Sequence, residues 1–200
     1  MQDYVINDYN DFAKKEIING KIYLMAGTST AHDETVGNLR FIFGTYLRGK
    51  PCKVYGENMS VNFDKENPQV LPDIKIVCDR SKITKKEIKG PPDLIIEVLS
   101  LRTKKRDITE KKDLYEKHGV KEYWIVNTKD RTVEVYLLKE GKYVCDEVYE
   151  KLDEDERNRI EKYGTDEDKK LLKLDKIKTS LFGDDLIIDI DDIFYDMIED

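Results

Sequence analysis

The chain has 200 residues, 39% hydrophobic and 38% charged, with a formal net charge of −7. That size supports one domain with a sizeable core, the composition excludes a disordered chain, and the acidic balance argues against indiscriminate nucleic-acid binding. No apolar stretch approaches the roughly 20 residues that span a bilayer, so no membrane association is expected. Met1-Gln2-Asp3-Tyr4 lacks a basic and an apolar region, so no secretory signal is expected either. Cys52, Cys78 and Cys145 are odd in number and far apart. That excludes a zinc knuckle, argues against a disulfide framework and fits a reducing cytoplasm.

In chain order, residues 8–18 read as a short opening helix ended by Asn19-Gly20, and 21–26 alternates as a strand. Thr28 and Ser29 cap a longer helix to about Leu47, with His32, Val36, Leu39, Phe43 and Leu47 on its inner stripe. Strands are expected at 52–63, 71–78 and 92–99. A helix is expected over 107–118, with Asp107 as N-cap, Glu110 completing a capping-box-like start and Gly119 at C′. Two strands, 122–127 and 132–138, form a hairpin around Asn127 to Arg131, and another strand lies near 142–149. Residues 150–178 are charged and helical in composition and read as an insertion. A strand at 186–190 and a short helix after Asp191 close the chain. The sum over 1–200 is a single mixed α/β (α+β) domain.

Two charges stand where apolar residues belong. Lys111 lies three residues from Ile108 and Leu114 and four from Tyr115, so it shares their helical face. An unpaired ammonium is costly to desolvate, so an inward lysine needs a partner. Glu97 interrupts the apolar run 94–99. Asp93 is four residues before it on the same strand, roughly 13 Å away, too far to share one ion. Asp73 lies on a separate strand. If the two strands pair, Asp73 and Glu97 fall side by side at ~5 Å and their mutual repulsion invites a divalent cation. Magnesium, or manganese, suits a site with few protein ligands whose shell is completed by water and a substrate phosphate. A nearby Lys111 would steady an attacking water or the developing charge.

Charge along the chain is uneven. Residues 80–106 hold nine basic and three acidic side chains, whereas the region after Tyr149 is strongly acidic. Arg102, Lys104, Lys105 and Arg106 are therefore candidates for phosphate contacts, although a run of charge is equally a solvated face.

The stretch 92–100 (PDLIIEVLS), followed by Thr103, Asp107, Lys111, Tyr115, Gly119-Val120 and Glu122-Tyr123-Trp124, resembles the Uma family of putative restriction endonucleases. That family belongs to the PD-(D/E)XK nuclease superfamily. The resemblance extends to 20–26 (GKIYLMA), His32, 71–73 (LPD) and 181–188 (LFGDDLII), nearly the whole chain apart from 150–178. It implies a restriction-endonuclease-like core, a mixed central sheet flanked by helices, with Asp73 and Glu97 as metal ligands. It also implies a displaced lysine: the superfamily expects one two residues after the glutamate, where this chain has Leu99, and Lys111 matches the position from which the family supplies it. His32 matches a histidine near the metal pocket, which implies an accessory role. Leu101 follows Ser100 where many members have proline, a departure in the loop.

Each candidate has a plainer role. Lys75 shares the Asp73 face and, with Glu57 as a first acid, forms a rival Asp-x-Lys triplet. Lys112, flanked by Thr109 and Glu116, reads as solvated. His32 on an inner helical stripe fits a satisfied core histidine, and Glu97 fits a buried acid paired with Arg102. Trp124 and Tyr123 read as core or a dimer face. Taken together, the residues indicate a magnesium-dependent DNA endonuclease acting as a symmetric homodimer, because cutting two strands calls for two active sites. The alternative is a catalytically silent nuclease-fold module that binds nucleic acid or protein.

Overall fold

The computed structural model describes residues 14–25, 27–100 and 104–198. The expected helix at 8–18 lies partly outside this set, and Arg102 lies wholly outside it. Where the two overlap, the sequence expectation is corrected. Lys15–Ile18 is a strand, β1, paired antiparallel with Lys21–Leu24, β2. The reason is the turn between them. Asn19 and Gly20 both have positive φ, 50° and 71°, so Asn-Gly reverses a hairpin here instead of ending a helix.

A six-stranded mixed sheet forms the centre. Its strands in chain order are β3 (Lys53–Gly56), β5 (Ile74–Val77), β7 (Leu94–Val98), β8 (Glu122–Asn127), β9 (Thr132–Lys139) and β10 (Lys142–Glu150). Across the sheet they run β10-β9-β8-β7-β5-β3. Only β7 and β8 are parallel within this sheet; the other neighbours are antiparallel. Two short strands, β4 (Ser60–Asn62) and β6 (Glu87–Lys89), pair apart from it. The expected strand 52–63 is therefore two pieces, broken by a turn at residues 57–58.

Both faces of the sheet are covered, which is why β5, β7 and β8 are nearly continuous apolar runs. On one face lies α1 (Thr30–Tyr46), whose N-cap Ser29 accepts from the His32 amide. Its Val36, Leu39 and Phe43 pack with Ile74, Ile76, Ile96 and Trp124. On the other face lies the helical crossover 104–118, α2, whose Leu114 and Tyr115 pack with Ile95, Tyr123 and Ile125. A parallel β7–β8 pair requires such a crossover.

The crossover differs from the sequence expectation in one consequential way. It starts at Lys104, whose amide bonds the Ser100 carbonyl, so Asp107 lies inside the helix and is not its N-cap. Residues Asp107–Lys111 form a π-helical turn before the α-helix Lys112–His118 resumes. The wider turn slips the face by one residue. Asp107 and Lys111 point inward with Leu114 and Tyr115, while Ile108, expected inside, is 40% exposed.

Elsewhere, residues 150–178 contain two exposed helices, α3 (Glu154–Tyr163) and α4 (Asp168–Leu171). They end in β11 (Lys176–Lys178), which pairs with β12 (Ile187–Asp189) and buries Ile177. A short helix, α5 (Ile190–Ile193), follows. Cys52 and Cys78, whose number and spacing argue against a disulfide framework, nevertheless form a disulfide just beyond the paired ends of β3 and β5, because the register that sets Lys53 against Val77 brings them together one step on. Cys145 is free and exposed. Among the described residues no helix is long and apolar enough to cross a membrane.

Candidate active site

The β5–β7 register pairs Ile74 with Ile96. One residue further, Asp73 at the start of β5 lies opposite Glu97 near the end of β7. In an antiparallel pair, opposed residues point to the same face. Both side chains line a cleft of about 1070 Å³ together with His32, Lys111, Leu99 and Arg106. The C-terminal ends of β7 and β8 and the N-terminal end of β5 all meet this cleft, so the β8–β9 turn with Thr128 and Lys129 forms part of its opposite wall.

Asp73 is held from two directions. Its Oδ2 accepts from the Val98 amide at 2.8 Å and faces His32 Nε2 at 3.3 Å. Burial alone would raise its pKa, but the His32 bond and charge, Lys111 and the Val98 amide outweigh it and hold the carboxyl below its ordinary value. His32 responds in kind. Burial disfavours its charged form, yet Asp73, with Glu57 and Asp33, moves its pKa upward.

Lys111 is 2% exposed and surrounded by carboxylates. Its Nζ lies 3.0 Å from Glu97 Oε1, 3.3 Å from Asp107 Oδ1 and 3.5 Å from Glu16 Oε2. Burial works against the ammonium, but Glu97, Asp107, Glu16 and Asp73 together keep its pKa well above the ordinary lysine value. Tyr115 donates to the same Glu97 oxygen at 2.6 Å. Glu97 itself is driven well above the usual carboxylate range by burial and by its neighbours Asp107 and Asp73, despite Lys111 and Tyr115. Among the described residues, four buried acids converge on Lys111 and Arg106. Asp73 and Glu97 raise each other's cost of ionisation, and a cation between them would relieve that repulsion.

The donor set fits a cation with few protein ligands. Among the described residues no three His, Cys, Asp or Glu side chains are grouped to hold a metal ion. Two carboxylates are what magnesium uses when water and substrate phosphate supply the rest. Zinc, which takes three or four protein ligands, would not be satisfied.

The other candidates are distributed as follows. Lys75 is buried, and its Nζ donates to the Pro72 carbonyl at 2.8 Å. Burial lowers its pKa to about 7 against the pull of Glu97 and Asp73. Glu57, its suggested acid partner, pairs instead with Lys14 at 2.8 Å. Lys112 Nζ sits over the Tyr136 ring at 3.4 Å. Lys104 and Lys105 are exposed, and Lys104 lines the cleft. The Arg106 guanidinium is turned to Glu16, 3.0 Å away, and stacks over Tyr23.

Two members of the cluster escaped sequence reasoning. Glu16 was hidden by the helical reading of 8–18; as a strand, its alternation with Ile18 makes it inward-facing. Asp107 was read as a helix cap, and the spacing Asp107-x-x-x-Lys111 was the signal that it pairs one turn on.

Known proteins agree with this architecture. A family model, Uma2, described as putative restriction endonuclease, matches residues 3–162. An uncharacterized protein of Synechocystis is 24% identical over 136 residues, 68% of this chain and 72% of that protein. The crystal structure of a putative nuclease belonging to DUF820 from Anabaena variabilis superposes with a TM-score of 0.66, covering 91% of this chain and 90% of that one. Its sequence identity is 20%, so the likeness concerns the fold.

Proposed function

The chain belongs to the Uma2 family of putative restriction endonucleases, and from this site we propose a divalent-metal-dependent DNA endonuclease. The observation that carries the reading is the buried Lys111 ammonium on Glu97, beside the Asp73–Glu97 pair at the floor of a cleft. A lysine and two acids so placed exceed what stability asks for, since a buried ion pair seldom outperforms apolar packing.

Asp73 and Glu97 would hold magnesium or manganese, which lowers the pKa of a bound water and polarises a phosphate. His32 fixes the orientation of Asp73 through Nε2, and Tyr115 does the same for Glu97. Lys111 offers a protonated amine to the attacking water or to the charge that develops on the phosphate. Lys104 and Lys105, with Arg102, would contact backbone phosphates, which position a duplex without reading its sequence. A symmetric dimer would present two such sites, one per strand.

One observation favours a silent binding module. Asp130, Glu150, Asp153 and Glu156 line the cleft among Lys129, Arg131 and Lys151, a mixed-charge lining without the basic excess that a nuclease cleft would present to DNA. Plasmid nicking with manganese, followed by chelation, separates the two. The nuclease reading expects conversion of supercoiled to open-circle DNA that stops on chelation, with Glu97→Ala and Asp73→Asn at least about 100-fold slower. The carboxamide oxygen introduced by Asp73→Asn can still accept from the Val98 amide, so this variant should fold yet lose manganese-induced thermal stabilisation. DNA binding without metal and no cleavage at any protein concentration would establish the module instead.

A further inference from the structure

Among the described residues, three carboxylates surround the Lys111 ammonium, and one of them comes from the β1–β2 hairpin, outside both the central sheet and the crossover. Glu16, on β1, is fully buried beside Ile18, on the same side of the sheet as Glu97 and α2. Its Oε2 lies 3.5 Å from Lys111 Nζ and accepts from the Leu71 amide at 3.4 Å, two residues before Asp73. Its Oε1 lies 3.0 Å from Arg106. The β1 backbone is tied to the same segment, with the Ile17 amide donating to the Gln69 carbonyl at 2.8 Å.

Burying a carboxylate costs several kcal/mol that an apolar residue at this strand position would avoid. Lys111 already has Glu97 and Asp107 within ion-pair distance. The extra acid makes sense if Glu97 is at times engaged elsewhere. Resting on the metal-dependent reading above, we infer that Glu16 is the positioning residue of this site. It keeps Lys111 seated when Glu97 turns to a cation, and it fixes Arg106 at the cleft wall.

Glu16 touches no reacting group, so its effect passes through Lys111. With Glu16→Gln, Lys111 leans more heavily on Glu97 and Asp107, and a cation must then compete with the ammonium for Glu97. Arg106 also loses its anchor.

The test uses the full chain labelled with 15N-lysine. A buried, ion-paired ammonium exchanges slowly and gives a resolved signal, assigned to Lys111 by its absence in Lys111→Met. In wild type the signal should survive saturating magnesium, a diamagnetic ion. In Glu16→Gln it should broaden or vanish on adding magnesium, and the magnesium concentration for half-maximal thermal shift should rise about tenfold. Glu16→Asp, which keeps the charge, should restore part of the signal and stands in if the glutamine variant fails to fold. Where nicking is measurable, kcat should fall about 100-fold with KM within twofold, and adding Glu16→Gln to Lys111→Met should slow it no further. A Glu16→Gln ammonium signal and magnesium response like those of wild type would overturn the role of Glu16. Wild-type protein that cuts no DNA, yet shows these shifts, would overturn the nuclease reading and leave the anchor standing.

Discussion

Lys111 and Tyr115, one helical turn apart, present their polar ends to the same oxygen of Glu97, at 3.0 and 2.6 Å. The tyrosine is fully buried, and its hydroxyl proton is held by burial and by Glu97, which together drive its pKa well up. Tyr115→Phe removes one donor from a buried carboxylate, a loss of about 1.5–3 kcal/mol when the acceptor is charged. Urea unfolding should show that drop. Nicking should decline far less than for a change at Lys111, because the phenol orients Glu97 without supplying charge.

Lys111→Met tests the amine itself. Methionine fills a similar volume, so the helix can still pack, but the acids left without the ammonium should lower stability by about 3–5 kcal/mol. Removing a stabilising donor of this kind costs about 2.7–4 kcal/mol of transition-state stabilisation, a loss of roughly 100–1000-fold in nicking rate. Metal binding should move the other way. With no ammonium on Glu97, manganese should stabilise the variant at lower concentration than wild type in a thermal-shift titration. A rate within threefold of wild type would remove Lys111 from the chemistry.

Much of this arrangement is legible in the chain itself, for identifiable reasons. The inner stripe His32, Val36, Leu39, Phe43 and Leu47 is buried as its helical period requires. Strands 122–127 and 132–139 follow from β-branched and aromatic runs either side of a turn. What stayed hidden depends on tertiary context. Glu16-Ile17-Ile18 has no intrinsic signal separating helix from strand; pairing with Gln69 and the Asn-Gly hairpin decides it. The π-turn at Asp107–Lys111 has no pattern either, since it arises where Asp107 and Lys111 must both face the buried acids. Arg106, a phosphate candidate by its basic run, turns to Glu16 because that buried carboxylate attracts it more strongly than solvent does.

Gly119 ends α2 with φ of +80°, and a Cβ there would meet nothing within 4 Å. The cost of Gly119→Ala is therefore conformational and not steric, about 1–2 kcal/mol for a left-handed L-residue. Because Lys111 lies about two turns away from this cap, the loss should appear as a lower denaturation midpoint with the m-value and the manganese response little changed.

Glu122 gives a pH signature independent of the cleft. It is fully buried at the start of β8 and accepts from Trp124 Nε1 at 2.7 Å, the Ser180 amide at 2.8 Å and the Ser180 hydroxyl at 2.6 Å. These bonds favour the carboxylate, but burial outweighs them and raises the pKa above the ordinary 4.5. A carboxyl raised on folding binds its proton more tightly in the folded state. Its contribution is thus most favourable below about pH 4.5, falls as the pH rises through the folded-state value, and is constant above it. Glu122→Gln does not titrate. The difference in unfolding free energy, wild type minus variant, should therefore decrease as pH rises from 4.5 toward neutrality and then level off. A difference that is flat across this range, or that increases with pH, would mean that the three donors outweigh burial and that Glu122 is held as a stabilised anion.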